Sequence, residues 1–521
     1  MTIPSNAVVN RNRRSALIVV CGILALTFLD TTVVSVSLGS IQDSLHFGVT
    51  GLQWIVDAYA LAFASLMLTG GTLGDRFGRR RVMLAGLVLF SLASLMGALA
   101  HSRDLLIASR ALMGVGAAAS EPGTLSVLRH VFPEQRGRAR ALGVWAAVSC
   151  LGLALGPLLG GLLVGIWSWR AVFWLNVVLG VVLYAAARRY VPESSDPDTA
   201  RVDVSGQLLG VAAIASIVGA LIQGETSGFG SSGIITLFIV GVVCLVGFVI
   251  RERRAAYPML DLRYFRRLRF TTALVVAFAV YFGTFSIFFF TTLYLEEVVK
   301  YSGFRTAALF IPMTALMVGG AVWASRLVVR RGGQWTMAAG CLVAAIGIAI
   351  SEPLLTTHPS FAALTVALGV TGLGMGLAMV PVTVLVLEVV PPEHSGMAAS
   401  ATNTARQLGV VFGVAILGGL VNRQLTTDLR HRLNAMHIPS FFQGSIIDSY
   451  EHGGTAKGGS LSGIKALFPS FIDRIYDAAY GAFHAGLVLA LVISAILIAA
   501  AALLAGYSAA RGGPKASDPA G

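Results

Sequence analysis

The chain has 521 residues, of which 56% are hydrophobic and 12% are charged, and its formal net charge is +13. This composition is typical of a polytopic membrane protein and excludes a soluble enzyme, because about 20 apolar residues suffice for each spanning helix. The positive charge does not indicate a nucleic-acid partner, because the arginines lie mostly between apolar runs, where membrane topology accounts for them.

Apolar runs predict an all-α integral membrane protein with fourteen spans. The first run is too long for a cleaved signal peptide, so we expect it to be retained. An even number of spans places both termini on the same side of the membrane. The spans are expected at 15–38, 51–73, 82–100, 105–128, 140–164, 170–188, 205–223, 233–251, 270–296, 304–328, 334–353, 361–388, 397–421 and 481–508.

The distribution of lysine and arginine indicates that both termini are cytoplasmic. With the N-terminus inside, the inner segments hold 25 of the 38 basic residues and the outer segments hold 10. Six of those 10 lie in one long outer loop, 422–480, and long loops cross a membrane largely regardless of charge. Arginine outnumbers lysine and alanine is abundant, as in a GC-rich bacterium, so we expect the bacterial inner (cytoplasmic) membrane.

Each of the first two spans contains an aspartate. An aspartate in hydrocarbon costs ~2.5–3.5 kcal/mol on insertion scales, so a paired or protonatable functional group is expected. At about 1.5 Å per residue, Asp30 lies ~22 Å from the cytoplasmic start of its helix and Asp57 lies ~8 Å from the outer end of the next one. Both therefore fall in the outer part of the membrane. For Asp57, simple exposure to the outer water is an equally good interpretation.

A basic stretch joins the second and third spans and reads Gly71-Thr-Leu-Gly-Asp-Arg-Phe-Gly-Arg-Arg-Arg-Val-Met-Leu84. Glycine is needed where the backbone turns sharply, and so basic a turn belongs on the cytoplasmic side. The alternative to a functional motif is a juxtamembrane loop that only fixes topology. The residues of the candidate motif are Gly71, Asp75, Arg76, Gly78, Arg79 and Arg80.

The fourth span carries Arg110 near its outer end and Glu121 in its inner half, directly before Pro122. Arg110 lies ~8 Å deep, at a similar level to the two aspartates, and a buried arginine requires a carboxylate. We therefore predict that Arg110 pairs with Asp30, Asp57 or both, either in proton coupling or as a static pair that fixes packing. Three roles remain open for Glu121: contact with a cationic substrate, proton transfer, or exposure to cytoplasmic water.

The fifth span contains a glycine stripe interrupted by one proline. Gly152, Gly156 and Gly160 recur at intervals of four, and Pro157 and Gly161 complete the block. Such a stripe allows close helix contact, and the proline removes a backbone donor and permits a bend. Ordinary glycine-mediated packing is the alternative to a specialised bend.

Aromatic and polar side chains mark two later spans. The ninth span, the first of the second half, contains an aromatic block that includes Tyr281, Phe285 and Phe289. These side chains either line a cavity for flat lipophilic molecules or face lipid. The penultimate span contains Asn403 and Arg406 within one turn. Arg406 is a candidate for binding an anionic group or compensating a carboxylate from the other half of the chain. Capping or hydrogen bonding between the halves is the structural alternative.

The chain also repeats itself. Residues 325–340 correspond to 71–86, with Val329 in the position of Asp75. Two corresponding six-helix halves are typical of a duplicated transporter whose substrate site lies between the halves. The seventh and eighth spans have no counterpart and are predicted to be an inserted pair. The predicted domains are the N-terminal half (1–190), the inserted helices with a basic cytoplasmic linker (191–268), the C-terminal half with the long outer loop (269–510) and a cytoplasmic tail (511–521).

Four blocks together resemble the fourteen-helix drug:proton antiporters of the major facilitator superfamily. They are the stretch 71–84, the Asp30-Thr-Thr-Val-Val block, the Arg110 to Gly116 block and the Gly152 to Gly161 block. The resemblance implies the major-facilitator fold, proton coupling through Asp30 and Arg110, and a latch of the outward-open state formed by Asp75 and its neighbouring arginines. It also implies that the Gly-Pro block belongs to an exporter. The chain departs from the family pattern at Ser37-Leu-Gly39 and at Asp57, a position that is usually uncharged.

We therefore expect a proton-coupled antiporter that exports lipophilic or cationic drugs by alternating access between two halves. The alternatives are an exporter of one endogenous metabolite, antibiotic or lipid, and a non-transporting membrane sensor or scaffold. The sequence contains no Walker-type phosphate loop, nucleophile–base set or metal cluster, so we expect no enzyme activity, metal or cofactor, with the proton gradient as the driving force. Expected partners are small lipophilic substrates, protons and membrane lipids, anionic on the cytoplasmic face, and the protein is expected to be a monomer.

Overall fold

The computed structural model describes residues 6–45, 49–195, 203–255, 260–301, 303–391, 395–438, 443 and 469–511. Within these ranges all regular secondary structure is helical. The helices are α1 (Asn6–Leu45), α2 (Val49–Phe77), α3 (Arg79–Ala98), α4 (Arg103–Ser120), α5 (Pro122–Val131), α6 (Gln135–Ile166), α7 (Arg170–Tyr190), α8 (Val204–Ser227), α9 (Ser232–Arg254), α10 (Leu268–Glu297), α11 (Gly303–Arg331), α12 (Gly333–Ser351), α13 (Phe361–Val389), α14 (Ser395–Phe412), α15 (Gly418–Ala435) and α16 (Pro469–Arg511).

Many of these helices have the length and composition of membrane spans. In the part of the chain that the structure describes, 11 helices are long and apolar enough to cross a membrane, or 12 when the bent helix α2 is included. The helices at 103–131 and 135–166, where two further spans are predicted, are not among them. The chain is thus a multi-pass all-helical membrane protein, and the structure does not fix the number of spans at fourteen.

Two groups of helices repeat the same packing. In the first group, α1–α7, helix α1 packs on α6 and α7, and α4 packs on α2 and α3. In the second group, α10–α16, helix α10 packs on α14 and α16, and α13 packs on α11 and α12. Glycines permit the same close approach in both, because Gly152 and Gly156 of α6 face α1, whereas Gly409 of α14 and Gly413, which directly follows α14, face α10. The sequence repeat therefore corresponds to a repeat of helix packing.

The two groups meet along a seam formed by α2 against α14 and α6 against α11. Near the C-terminal end of α2, a side chain at Gly71 would collide with Ser400 of α14. Farther along the same pair, Ala60 of α2 packs with Val411 of α14 and with Ala415 in the π-helical turn Gly413–Leu417 that follows α14. The contact therefore runs from Ala60 to Gly71 on α2 and from Ser400 to Val411 on α14.

The inserted helices lie beside this seam. Helix α9 packs on α8, and α8 packs on α2. Val218 and Ile222 of α8 join the cluster around Ala60, and the Gln207 amide donates a hydrogen bond of 2.9 Å to the carbonyl oxygen of Ser65. Helix α8 thus contacts both groups.

The structure changes the predicted boundaries of the long outer loop. Helix α15 continues to Ala435, and α16 begins at Pro469, so both ends of the predicted loop 422–480 are helical. Leu429 and Leu433 pack against Ala478 and Ala482 and hold the two ends together. A hydropathy criterion does not detect these helical ends because they are too polar. Such a criterion finds apolar membrane-spanning segments and not helices as such. Most of residues 439–468 lie outside the described ranges.

Candidate functional site

A buried carboxylate, Asp30 of α1, lies at the centre of a polar cluster. Its Oδ2 atom accepts a hydrogen bond of 2.6 Å from Nη1 of Arg110 in α4, and its Oδ1 atom accepts one of 2.6 Å from Nδ2 of Asn176 in α7. All three side chains are at most 1% exposed. A charge buried this deeply is tolerated because it is paired and hydrogen-bonded. Three helices of the first group therefore converge on one ionisable side chain.

The Arg110 guanidinium has further partners on α2. Its Nε donates to the carbonyl oxygen of Ile55 at 3.0 Å, and its charge lies 4.4 Å from the centre of the Tyr59 ring. Of the two predicted acidic partners, Asp30 forms the ion pair at 2.6 Å. Asp57 is 0% exposed, so in this structure it does not face the outer water.

Tyr59 and Thr27 connect this cluster to Glu121. The Tyr59 hydroxyl donates to the carbonyl oxygen of Thr27 at 3.2 Å, and the Thr27 hydroxyl donates to Oε2 of Glu121 at 3.0 Å. Glu121 is 1% exposed, and its Oε1 accepts no hydrogen bond from the described residues. It lies where α4 ends and Pro122 starts α5, because a proline cannot donate the backbone hydrogen bond that would continue the helix.

A second buried charge, Arg406 of α14, lies across the seam. Its Nη1 donates to Oδ1 of Asn403 at 3.2 Å, and its Nη2 donates to Oγ1 of Thr383 at 2.8 Å. The guanidinium also lies 5.4 Å from the ring of Trp145 and 5.6 Å from the ring of Tyr281. Among the described residues no carboxylate forms an ion pair with it, although it is 3% exposed.

Aromatic side chains close the seam between the two charges. Trp145 of α6 donates from Nε1 to Oγ1 of Thr124 at 3.2 Å, and Thr124 in turn donates to the Glu121 carbonyl oxygen at 2.6 Å. Phe28 of α1 lies against Tyr281 of α10, with 6.1 Å between ring centroids. Glu121 and Arg406 therefore belong to opposite groups of helices. Trp145 lies between these groups, because it bonds Thr124 beside Glu121 and its ring lies near the Arg406 guanidinium.

Not every predicted residue joins this cluster. Phe289 lies eight residues after Tyr281, ~12 Å along α10, and packs against Phe290 with ring centroids 5.1 Å apart. The side chains of Phe285 and Pro157 lie outside the described part of the structure.

The glycine stripe of α6 positions the helix that carries Asp30. An added Cβ at Gly152 would lie 3.0 Å from the Ala25 carbonyl oxygen, and one at Gly156 would lie 2.7 Å from the Thr32 Cβ. Gly160 is buried, and Gly161 is half-buried on the same helix. The stripe thus brings α6 against α1, as close glycine-mediated contact requires.

The basic motif is helical on each side of Gly78. Asp75 pairs with Arg79 at 2.8 Å, four residues later. Gly78 alone separates α2 from α3 and has a φ of +106°, a conformation that L residues rarely adopt. Glu193 accepts a hydrogen bond of 3.1 Å from the Arg80 backbone N–H and would lie 2.7 Å from a Cβ at Gly78. The motif is therefore anchored to the segment that follows α7.

The remaining members of the motif have different surroundings. Gly71 is buried and faces Ser400 across the seam, so the motif reaches the second group of helices. Arg76 is exposed and lies 5.1 Å from the centre of the Phe77 ring.

Several of these residues were not predicted from the sequence, among them Asn176, Tyr59 and Glu193. Asn176 is the only amide in the apolar run 170–188, which is a signal that could have found it. Tyr59 occurs in an ordinary apolar context, and Glu193 lies in a polar segment where its contact with Gly78 leaves no local pattern.

Comparisons with known proteins agree with this architecture. Residues 20–414 match the family model described as Major Facilitator Superfamily. The chain is 34% identical over 505 residues to "Drug efflux pump JefA" of Mycobacterium tuberculosis, covering 95% of this chain and 97% of that protein. It is 35% identical over 411 residues to "Multidrug resistance protein Stp" of the same organism, covering 79% and 76%. A bacterial homolog to the human lysosomal transporter Spinster, solved inward-facing and unoccupied, matches with a TM-score of 0.62 at 16% identity, covering 95% of this chain and 98% of that one.

Proposed function

Because the chain belongs to the major facilitator superfamily, we propose that it is a secondary active transporter, a proton-coupled antiporter that exports lipophilic or cationic drugs by alternating access. The names of its relatives JefA and Stp support a drug exporter. The observation that carries the proton-coupled part is the buried cluster of Asp30, Arg110 and Asn176. An intramembrane carboxylate paired with arginine is the kind of group that membrane proteins use for proton transfer.

Asp30 is the proton site in this account. As a carboxylate it accepts hydrogen bonds from both Arg110 and Asn176. A proton on the carboxylate would remove the negative charge that holds Arg110, so α4 would lose its ion pair to α1, while the neutral carboxyl could still accept from Asn176 of α7. The guanidinium would then keep only its contacts to α2, such as Ile55. Proton uptake and release at Asp30 would in this way change the packing of the first group of helices.

Alternating access follows from the seam. The two groups of helices contact each other through α2 with α14 and α6 with α11, so rocking about these contacts would expose the space between Glu121 and Arg406 to either side. The anchored motif around Asp75 and Gly78 would latch the inner ends of α2 and α3 when the site opens outward. Tyr281, Phe289 and Asn403 would contribute to the substrate cavity.

We assign the topology on the same basis. The chain would have fourteen spans in a bacterial inner membrane, with both termini cytoplasmic, as the distribution of basic residues favours. The halves would be 1–190 and 269–510, separated by the inserted pair within 191–268. Protons, small lipophilic substrates and membrane lipids would be the partners of a monomer that needs no cofactor.

Uptake into proteoliposomes under an imposed pH gradient tests this function. The substrate is a fluorescent lipophilic cation, and the variants are Asp30→Asn and the matched control Asp104→Asn, whose carboxylate is exposed in the first turn of α4. We expect gradient-driven uptake in the wild type and the control and its loss in Asp30→Asn. Equal uptake in all three proteins would contradict the role of Asp30. Uptake that unrelated drugs do not inhibit would instead favour an exporter of one compound.

A further inference from the structure

Two opposite charges face the seam without pairing with each other. Glu121 of the first group has one carboxylate oxygen bonded to Thr27 and one that accepts no hydrogen bond from the described residues. Within the described part of the chain, Arg406 of the second group donates to the neutral oxygens of Asn403 and Thr383. Arg406 lies within electrostatic reach of Glu121. Yet the two side chains form no ion pair within 4.0 Å, and both are at most 3% exposed.

Burial of these two charges costs free energy unless a further charged group pairs with them. A buried charge that lacks a charged partner loses much of its hydration energy and regains only part of it from neutral groups. Asp30 has no such deficit, because both of its oxygens accept hydrogen bonds. Glu121, by contrast, keeps a carboxylate oxygen that accepts no hydrogen bond from the described residues, and the described partners of the Arg406 guanidinium are neutral oxygens.

The side chains around the two charges indicate which ligand shape would fit between them. Trp145 and Tyr281 offer ring faces beside Arg406, and Phe28 continues the aromatic surface from Tyr281 toward α1. Aromatic faces favour flat rings and cations. A guanidinium fork binds a carboxylate, and a carboxylate oxygen without a partner binds an ammonium or a delocalised cation.

We infer that Glu121 and Arg406 are the two ends of one binding site for amphoteric aromatic molecules, which carry a flat cationic ring system and an anionic group in one molecule. This inference rests on the proposed function, since the ligand would be a transported substrate. The cation of the ligand binds Glu121, the anion binds Arg406, and the rings lie against Trp145 and Tyr281. A ligand with both charges links the two groups of helices, whereas a simple cation engages only one of them.

Binding of two matched dyes to the purified full-length protein in detergent tests the inference without any gradient. One dye is a zwitterionic rhodamine with a free benzoate, and the other is its methyl ester, which keeps the cationic rings and lacks the anion. Dissociation constants come from fluorescence polarisation. The wild type should bind the free acid more tightly than the ester. In Arg406→Gln the affinity for the acid should fall by about tenfold or more, as expected for the loss of a charge-assisted hydrogen bond, while the affinity for the ester stays within about twofold.

Two further variants separate binding from folding. Arg406→Lys keeps the positive charge and should keep a preference for the acid, and Glu121→Gln should weaken both dyes alike, because both carry the cation. Ester binding in Arg406→Gln is the internal control for a folded protein. Equal loss of both dyes in Arg406→Gln, equal affinity for both dyes in the wild type, or binding of neither dye would overturn the inference. Gradient-driven transport without any preference for the acid would overturn this inference and leave the proposed function intact. A preference for the acid without gradient-driven transport would support the binding site and contradict the proposed function.

Discussion

At the scale of single residues, the two buried carboxylates of the first group differ in their partners. Asp30 accepts hydrogen bonds from a guanidinium and an amide, whereas Glu121 accepts one from the hydroxyl of Thr27. Hydrogen bonds to charged groups contribute about 1.5–3 kcal/mol each, roughly twice a neutral one. Asp30 is therefore held in place by its own group of helices, and Glu121 keeps bonding capacity for a ligand.

Two glycines have a positive φ that would strain any other residue, and they provide a matched prediction. Gly78 has a φ of +106° and Gly332 a φ of +85°, at corresponding positions of the repeat. Alanine at Gly332 meets nothing within 4 Å, so it should cost only the strain, about 1–3 kcal/mol. Alanine at Gly78 would in addition meet the Glu193 carboxylate at 2.7 Å. Thermal unfolding in detergent should show Gly78→Ala below Gly332→Ala and both below the wild type. Equal melting temperatures for the two variants would contradict the contact with Glu193.

Charged residues of the site and the pairing of Arg110 with a carboxylate could be predicted from the sequence, whereas the choice between the two aspartates could not. Asp30, Arg110 and Glu121 stand out because an ionisable group interrupts an apolar run. The choice between Asp30 and Asp57 depends on the rotation of each helix, and a shift of one residue rotates a side chain by about 100°. Asn176 and Tyr59 carry no charge, so they do not stand out as the ionisable residues do, although Asn176 is the only amide in the apolar run 170–188.

At the scale of helices, hydropathy locates a span but not the end of its helix. The prediction ends one span at 421, whereas α15 continues to Ala435, because Leu429 and Leu433 pack on the neighbouring helix α16. Conversely, the predicted turn between α2 and α3 shrinks to Gly78, since the charged residues around it remain helical. Tertiary packing and local ion pairs, such as Asp75 with Arg79, set these boundaries.

The contact between α1 and α6 gives a prediction with a control in the same helix. An added Cβ at Gly156 would lie 2.7 Å from the Thr32 Cβ, whereas one at Gly165 would meet nothing within 4 Å. Gly156→Ala should therefore destabilise the protein by about 1–3 kcal/mol through overpacking and should lower transport. Gly165→Ala should be neutral or stabilise by up to about 1 kcal/mol, through helix propensity. Melting temperatures and uptake rates of the two variants check this, and similar effects of both would contradict the packing of α6 on α1.

The helix pair α8 and α9 carries a pH-dependent contact at the N-terminus of α8. Burial acts to raise the pKa of Asp203, but hydrogen bonds from the Gly206 N–H, the Ser205 hydroxyl and the Arg251 guanidinium outweigh it and hold the pKa below its usual range. A carboxyl with a lowered pKa stabilises the fold above its unfolded pKa, about 3.9, and this contribution is lost as the pH falls through the lower, folded value. Asp203 also caps α8 and binds Arg251 of α9 at 3.0 Å.

Asparagine at this position isolates the charge, because it still caps a helix. Asp203→Asn should melt below the wild type at neutral pH, and the gap should narrow as the pH falls below about 4. A series of melting curves from neutral to acidic pH measures it. A gap that stays constant over this range would show that the ion pair with Arg251 contributes nothing.

At the scale of the whole molecule, the sequence repeat predicts the architecture well because both groups reuse the same glycine contacts. Gly86 faces α4, and Gly340 faces α13 in the corresponding way. The position of the inserted helices could not be predicted, because α8 has no counterpart and its place beside the seam depends on contacts to α2 such as Gln207 with Ser65.

Closure of the seam can be trapped covalently. An ideal Cβ at Gly71 lies 3.5 Å from the Ser400 Cβ, within the separation of about 3.5–4.5 Å found in disulfides. In a background without the native cysteines, the pair Gly71→Cys and Ser400→Cys should cross-link on oxidation and stop transport, and a reductant should restore it. Each single cysteine variant is the control. Unchanged transport by the cross-linked protein would contradict movement between the two groups at this contact.

The central claim is that Asp30 couples substrate movement to protons, and one measurement separates coupling from transport itself. Proteoliposomes are loaded with unlabelled cation, and labelled cation is followed both without a gradient, as exchange, and under a pH gradient, as accumulation. A one-to-one exchange with a proton allows at most about tenfold accumulation per unit of pH, since one unit corresponds to about 1.36 kcal/mol. If Asp30 is the coupling group, Asp30→Asn should retain exchange and lose accumulation. Accumulation by Asp30→Asn equal to that of the wild type would contradict it.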